Sequence, residues 1–201
     1  METQSPIQLQ KPGAGLPFFE NLIAKYFMVP QQTRRTTWEQ NRERFLKEGD
    51  RILSITTPLK PEQMETRILI DRFPGIEDSS RFWSVAMTLE HLMIVGTGMG
   101  KIITELSQNR VPLIEVNTAA VKPKNGLKAH EANQKFKDFV RTLSEKIQTE
   151  TGDPRSQARL AHPWFGKLNA HQWNWLLGRH QAVHRRQIVE ILSHLPKSST
   201  Y

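Results

Sequence analysis

Apolar side chains recur at helical spacing in four long segments of this 201-residue chain, and that pattern restricts the folds it can adopt. The segments run from about residue 37 to 54, 82 to 106, 129 to 148 and 169 to 195. No alternating pattern is long enough to predict a lasting strand, although residues 64 to 72 could pair briefly as an extended segment. Four helices with one apolar face each predict an all-α fold, a four-helix bundle with long loops.

The starts of these segments carry helix-capping signals. Thr36 and Glu39 have the spacing of a capping box for the first helix. Ser80 and the serine before it can cap the second helix. Asn169, with Gln172 three residues later, predicts the start of the fourth helix.

The first 33 residues break the pattern, because their prolines and glycines exclude a long regular element. A short helix can form from Pro17 to Met28, with an apolar face that needs a larger surface to lie against: Phe18, Leu22, Ile23, Tyr26 and Phe27. We therefore expect an N-terminal arm at residues 1–33 packed on the bundle, the bundle at residues 34–196, and a tail at residues 197–201.

Composition excludes several functional classes. The chain has no cysteine, which excludes disulfides, a thiolate nucleophile and cysteine-ligated metal sites. Its apolar stretches are shorter than a membrane span and its start lacks a secretion signal, so we expect a cytoplasmic protein without membrane contact. The net charge of +8 permits nucleic-acid contact, but the basic side chains do not gather into a patch, so nucleic acid is not an expected partner.

Three histidines form the candidate metal site. His180 and His184 lie four residues apart on the predicted fourth helix, so they share one face, with Cβ atoms about 6 Å apart. Hydrogen-bonded structural histidines have the same spacing. His91 favours a metal, because it lies in the most apolar helix, where a lone imidazole needs a partner. Three histidines can share one divalent ion and leave a fourth coordination position open.

Five further residues are weaker candidates for the surroundings of this site. Gln187 lies one turn after His184 and could fix the tautomer of that imidazole, although a purely structural hydrogen bond fits as well. Trp83, Trp164 and Trp173 could wall a pocket or belong to the core. His162 lies in the loop before the fourth helix and is the remaining candidate.

A glycine-rich run from Gly96 to Lys101 does not predict a phosphate-binding loop, because no strand precedes it and the apolar helical pattern continues through it. Small residues at this point instead favour a close approach of another helix.

Two stretches carry a family resemblance. Residues 83–92 (WSVAMTLEHL), with a mid-helix histidine followed by leucine, resemble the second helix of the DinB-like superfamily. The loop at residues 162–168 (HPWFGKL), then Trp173 and residues 180–188 (HQAVHRRQI), resemble its last loop and fourth helix. The resemblance covers roughly residues 35 to 195.

The resemblance implies an up-down-down-up four-helix bundle in which His91, His180 and His184 bind a divalent metal ion, commonly nickel or zinc, often in a homodimer. It also implies a metal-dependent hydrolase or a thiol-dependent transferase that acts on a small molecule, with a low-molecular-weight thiol as one substrate. The alternative is a non-catalytic helical protein whose basic surface binds an acidic partner or nucleic acid and whose histidines are structural.

Overall fold

The computed structural model describes residues 7–196, so the tail expected at residues 197–201 and the first six residues of the arm lie outside them. The helices are α1 (Phe18–Ile23), α2 (Val29–Arg34), α3 (Trp38–Thr56), α4 (Pro61–Glu65), α5 (Val85–Ser107), α6 (Ala129–Glu150) and α7 (Ala170–Ser193). Two short antiparallel pairs join β1 (Ile68–Leu69) to β2 (Phe82–Trp83) and β3 (Leu160–His162) to β4 (Gly166–Leu168).

The four long helices form a ring in which α3 and α5 each pack against both α6 and α7. Gly96 and Gly100 of α5 face Phe139 and Leu143 of α6 in the same order, so α5 and α6 run parallel. A Cβ atom at either glycine would overlap these side chains, which confirms that the small residues of this run permit a close helix approach.

Cross-helix hydrogen bonds give the remaining directions. Asn174 of α7 donates to the carbonyl of Trp38, at the start of α3, and Arg185 further along α7 pairs with Glu48 further along α3, so these helices are parallel. Thr56, the last residue of α3, bonds Asn133 near the start of α6, so α3 and α6 are antiparallel. The order is therefore up-down-down-up, and the predicted all-α four-helix bundle is confirmed.

The start of α3 lies one residue later than predicted. The hydroxyl of Thr36 donates to the carbonyl of Gln32 at 3.1 Å and so belongs to the end of α2. Thr37 caps α3 instead, in a reciprocal capping box with Gln40. At α7 the predicted box of Asn169 is confirmed, with both of its hydrogen bonds at 3.0 Å.

The start of α5 also differs from the prediction. Ser84 caps the helix by accepting a hydrogen bond from the backbone of Met87, whereas Ser80 ends a short 3₁₀ turn. The residues between them, Phe82 and Trp83, are extended because they pair with Ile68 and Leu69. The sequence indicated an extended segment around Ile68 but gave no sign of its partner.

The arm continues further than predicted and faces the other way. Its helical turns run from Phe18 through a π-helical turn at Ala24–Met28 to Arg34. Four of the five side chains of that face are 57–72% exposed and Leu22 is 38% exposed, so the predicted inward packing of the apolar face is wrong. Glu20 is turned inward instead, where it pairs with Arg72 and accepts the backbone N–H of Gly75.

The core lies between the four long helices. Its largest fully buried side chains include members of all four: Phe45, Ile52, Leu89, Ile103, Phe136 and Trp173. Within the described part of the chain, no helix is both long enough and apolar enough to cross a bilayer.

Candidate metal centre

Two helices of the ring bring the three candidate ligands together. His91 comes from the first half of α5, and His180 and His184 lie one turn apart on the antiparallel helix α7. The imidazole centroids are 4.6 Å apart for His91 and His184, 5.1 Å for His91 and His180, and 4.5 Å for His180 and His184. One ring nitrogen from each lies within 4.8 Å of the other two. These residues could hold one metal ion.

Hydrogen bonds set the tautomer of two of these imidazoles. Nδ1 of His91 lies 2.8 Å from the carbonyl oxygen of Val121, which can only accept, so Nδ1 carries the proton. Nδ1 of His184 lies 2.7 Å from the side-chain oxygen of Gln187, and the Gln187 amide nitrogen donates to the carbonyl of Ser80 at 2.7 Å. Both histidines therefore keep the lone pair of Nε2 free for a ligand.

The electrostatic surroundings keep all three imidazoles neutral at pH 7. Burial lowers the pKa of His184 to about 4. Burial also lowers the pKa of His91 and of His180 well below 6.5, and repulsion from His184 lowers both further. Neutral imidazole is the form that binds metal, so the triad needs no deprotonation to accept a cation.

Trp83 forms one wall of the triad. Its ring stacks on His184, with centroids 6.0 Å apart and planes at 10°, and its centroid lies 5.0 Å from that of His91. The ammonium group of Lys122 lies over Trp83, 5.4 Å from the ring centroid. Lys122 also lines the cavity beside the triad, and besides burial its charge helps to lower the pKa of His91 and of His184.

A cavity of about 220 Å³ opens beside the histidines. All three of them line it, together with the pocket candidates Trp164, Trp173 and His162. The triad therefore faces a space that a small molecule can enter.

His162 has the opposite tautomer to His91 and His184. The backbone N–H of Trp164 donates to its Nδ1 at 3.1 Å, so Nδ1 holds the lone pair and Nε2 carries the proton. The ring stacks on Phe165, with centroids 4.6 Å apart and planes at 15°. His162 lines the cavity with a hydrogen-bond donor on Nε2, the nitrogen that is a free acceptor in His91 and His184.

Titration of His162 predicts a loss of stability in acid. Burial lowers its pKa from 6.5 to about 4. The neutral ring therefore makes its full contribution to the free energy of unfolding above about pH 6.5, and this contribution is lost as the pH falls toward 4. Between pH 7 and pH 5 the wild type should lose about 2 kcal/mol more than His162→Asn, which keeps an acceptor for Trp164 but cannot titrate. Urea unfolding at both pH values measures this difference.

The matched control is His130→Asn, which changes an exposed histidine at the start of α6. Its stability should follow the wild-type pH dependence. Equal acid losses for wild type and His162→Asn would contradict the neutral, buried state of His162.

Sequence reasoning missed three contributors to this site. The carbonyl of Val121 orients His91, and that of Ser80 orients Gln187. Lys122 bonds Glu77 and the hydroxyl of Ser80. No sequence signal could have identified the two carbonyls, because every residue has one, and Val121 lies 30 positions from His91.

Comparisons with known proteins give limited similarity. No family model matches the chain, and no curated protein matches it. Among solved structures, a crystal structure described as "TT2238, a four-helix bundle protein" is 19% identical with a TM-score of 0.48. The match covers 76% of this chain and 98% of that chain.

Proposed function

We propose that this chain is a metal-dependent enzyme of the DinB-like type that binds one divalent ion, nickel or zinc, through His91, His180 and His184. One observation carries the proposal: three neutral imidazoles converge, with one nitrogen of each within 4.8 Å of the others. The backbone of Val121 and the side chain of Gln187 hold two of these rings with Nε2 free. A purely structural cluster would not need two oriented lone pairs next to a cavity.

The donor set fits a catalytic ion better than a structural one. Three protein ligands leave a coordination position open, whereas structural sites use four. When bound, a divalent ion supplies Lewis acidity, which polarises a carbonyl group or acidifies a thiol or water. The chain's own residues bind the substrate in the adjoining cavity.

The residues around the cavity have two tasks in this proposal. Nε2–H of His162 donates a hydrogen bond to an oxygen of the substrate, which orients it. Trp164 and Trp173 cover apolar surface of the substrate and exclude bulk water. We propose hydrolysis or thiol transfer as the reaction, with any thiol supplied as a small molecule because the chain has no cysteine.

Elemental analysis of protein purified without a histidine tag tests the metal site. The wild type should hold about one divalent ion per chain, and His91→Ala and His180→Ala should lose it on buffer exchange, because two imidazoles bind far more weakly than three. The matched control is His194→Ala, which removes an exposed histidine beyond the end of α7 and should retain the ion.

A wild type that holds no metal after incubation with nickel or zinc and buffer exchange would overturn the proposal. The histidines would then be structural. If the metal is present, a screen of esters, amides and thiol-transfer substrates should find an activity that is lost in both triad variants.

A further inference from the structure

A second cavity, of about 470 Å³, lies between the arm and α7. The two cavities adjoin, because they share five lining residues: Gly75, Met99, His162, Trp164 and His180. A molecule in the second cavity therefore lies next to the proposed metal centre. Its volume is in the range of small-molecule sites.

Two charged side chains line this mostly apolar cavity, Glu20 and Arg179. The carboxylate of Glu20 is already satisfied, because it pairs with Arg72 and accepts the backbone N–H of Gly75. Its charge therefore does not need a ligand.

Arg179 is different, because its partly buried guanidinium has no ion-pair or hydrogen-bond partner among residues 7–196. Burial lowers its pKa, and the neighbouring charge of Arg44 lowers it further, yet an arginine stays charged at pH 7. Glu48 attracts it from a distance, but that carboxylate is bound by Arg51 and Arg185, each at 2.7 Å. A cation with five donors thus faces the cavity without an anion.

Trp175 contributes an aromatic wall to this cavity. It lies four residues before Arg179, on the same face of α7, and it lines the same cavity. Its side chain is fully buried, so its Nε1–H is not accessible to a ligand in the cavity.

We propose that this cavity binds a small monocarboxylate with an apolar body, as the substrate of the proposed metal centre, so the inference rests on the proposed function. The carboxylate accepts from the Arg179 guanidinium. The apolar body lies along Ile23, Met28 and Leu176, and its far end extends past His162 into the first cavity, beside the triad.

Charge and geometry favour a carboxylate over a phosphate. One arginine balances one negative charge, whereas a phosphate ester carries up to two and would leave a charge uncompensated in an apolar cavity. The planar guanidinium also matches the two oxygens of a carboxylate.

Isothermal titration calorimetry on the full chain tests this with three probes that share one body: 4-phenylbutyrate, 4-phenylbutanol and 4-phenylbutyl phosphate. The carboxylate should bind about tenfold or more tightly than the alcohol, and more tightly than the phosphate. Arg179→Gln should remove the preference for the carboxylate over the alcohol. Arg141→Gln, which removes an exposed arginine of α6, should bind all three probes as the wild type does.

Two further measurements separate the possible causes of a preference for the carboxylate. Arg179→Lys keeps the charge and should bind the carboxylate with an affinity between those of wild type and Arg179→Gln, and it replaces Arg179→Gln if that variant fails to fold. Metal-free protein should keep the preference for the carboxylate. A preference that depends on metal and not on Arg179 would place the carboxylate at the ion and overturn the inference.

Three other results would also overturn the inference: the phosphate binds more tightly than the carboxylate, the acid and the alcohol bind equally, or no probe binds. Metal content is measured on the same samples. Protein that holds metal but lacks the Arg179-dependent preference contradicts only this inference. Protein that lacks metal but retains the preference contradicts the proposed metal centre and leaves the carboxylate site in place.

Discussion

Replacement of Gln187 with methionine should weaken divalent-metal binding about 10- to 100-fold, although Gln187 is not a proposed ligand. Its side-chain oxygen accepts the proton of His184 Nδ1 at 2.7 Å, and the carbonyl of Ser80 holds the amide in that orientation. Methionine has a similar length but no amide oxygen, so His184 can rotate or adopt the other tautomer. Competition titration with a chelator of known affinity measures the change.

The matched control is Gln134→Met on the exposed surface of α6, which should bind metal as the wild type does. Gln187→Glu is the informative third variant, because a carboxylate still accepts from His184 but cannot donate to Ser80. It should retain more affinity than Gln187→Met. Equal affinities for Gln187→Met and wild type would show that Gln187 does not position the imidazole.

The ring of helices and the convergence of the histidines could be predicted from the sequence for the same reason. Both depend on helical periodicity, and the 3.6-residue repeat that places Leu89 and Ile188 in the core also places His91 and His184 there. The position of Gln187 one turn beyond His184 follows from that repeat as well.

Two other groups around the triad were beyond sequence reasoning, because they come from an irregular segment. Val121 and Lys122 belong to the connection between α5 and α6, which has no periodicity, and their contacts depend on how that connection crosses the bundle. The orientation of the arm was missed for a related reason. Its apolar spacing suggested inward packing, but the ion pair of Glu20 with Arg72 turns the opposite face inward.

Replacement of Lys122 with methionine should destabilise the protein by about 3–5 kcal/mol, because it leaves the buried carboxylate of Glu77 without a counter-charge. The side chain of Glu77 is only 3% exposed. Besides Lys122, it accepts from the backbone N–H groups of Gly13 and Gly15 at 2.9 and 3.0 Å, so this carboxylate also ties the arm to the bundle. Urea unfolding at pH 7 measures the loss.

The difference in the free energy of unfolding between Lys122→Met and wild type should become smaller in acid. Burial raises the pKa of Glu77, but the hydrogen bond from Lys122 and that from Gly15 hold it below its ordinary value. In the wild type the contribution of Glu77 is present at neutral pH and is lost as the pH falls through that lowered pKa. Without Lys122 the pKa rises, and protonation then removes the unpaired charge at a higher pH.

An exposed ion pair and a double variant separate this account from a simple loss of packing. Lys47→Met breaks the Glu43–Lys47 pair on the surface of α3, where both side chains are more than half exposed, and should leave the urea midpoint unchanged. Glu77→Gln combined with Lys122→Met should be more stable than Lys122→Met alone, because no charge then remains buried. The double variant could instead be as unstable as Lys122→Met, with a difference in stability from wild type that acid does not reduce. That result would show that Lys122 contributes packing and not charge.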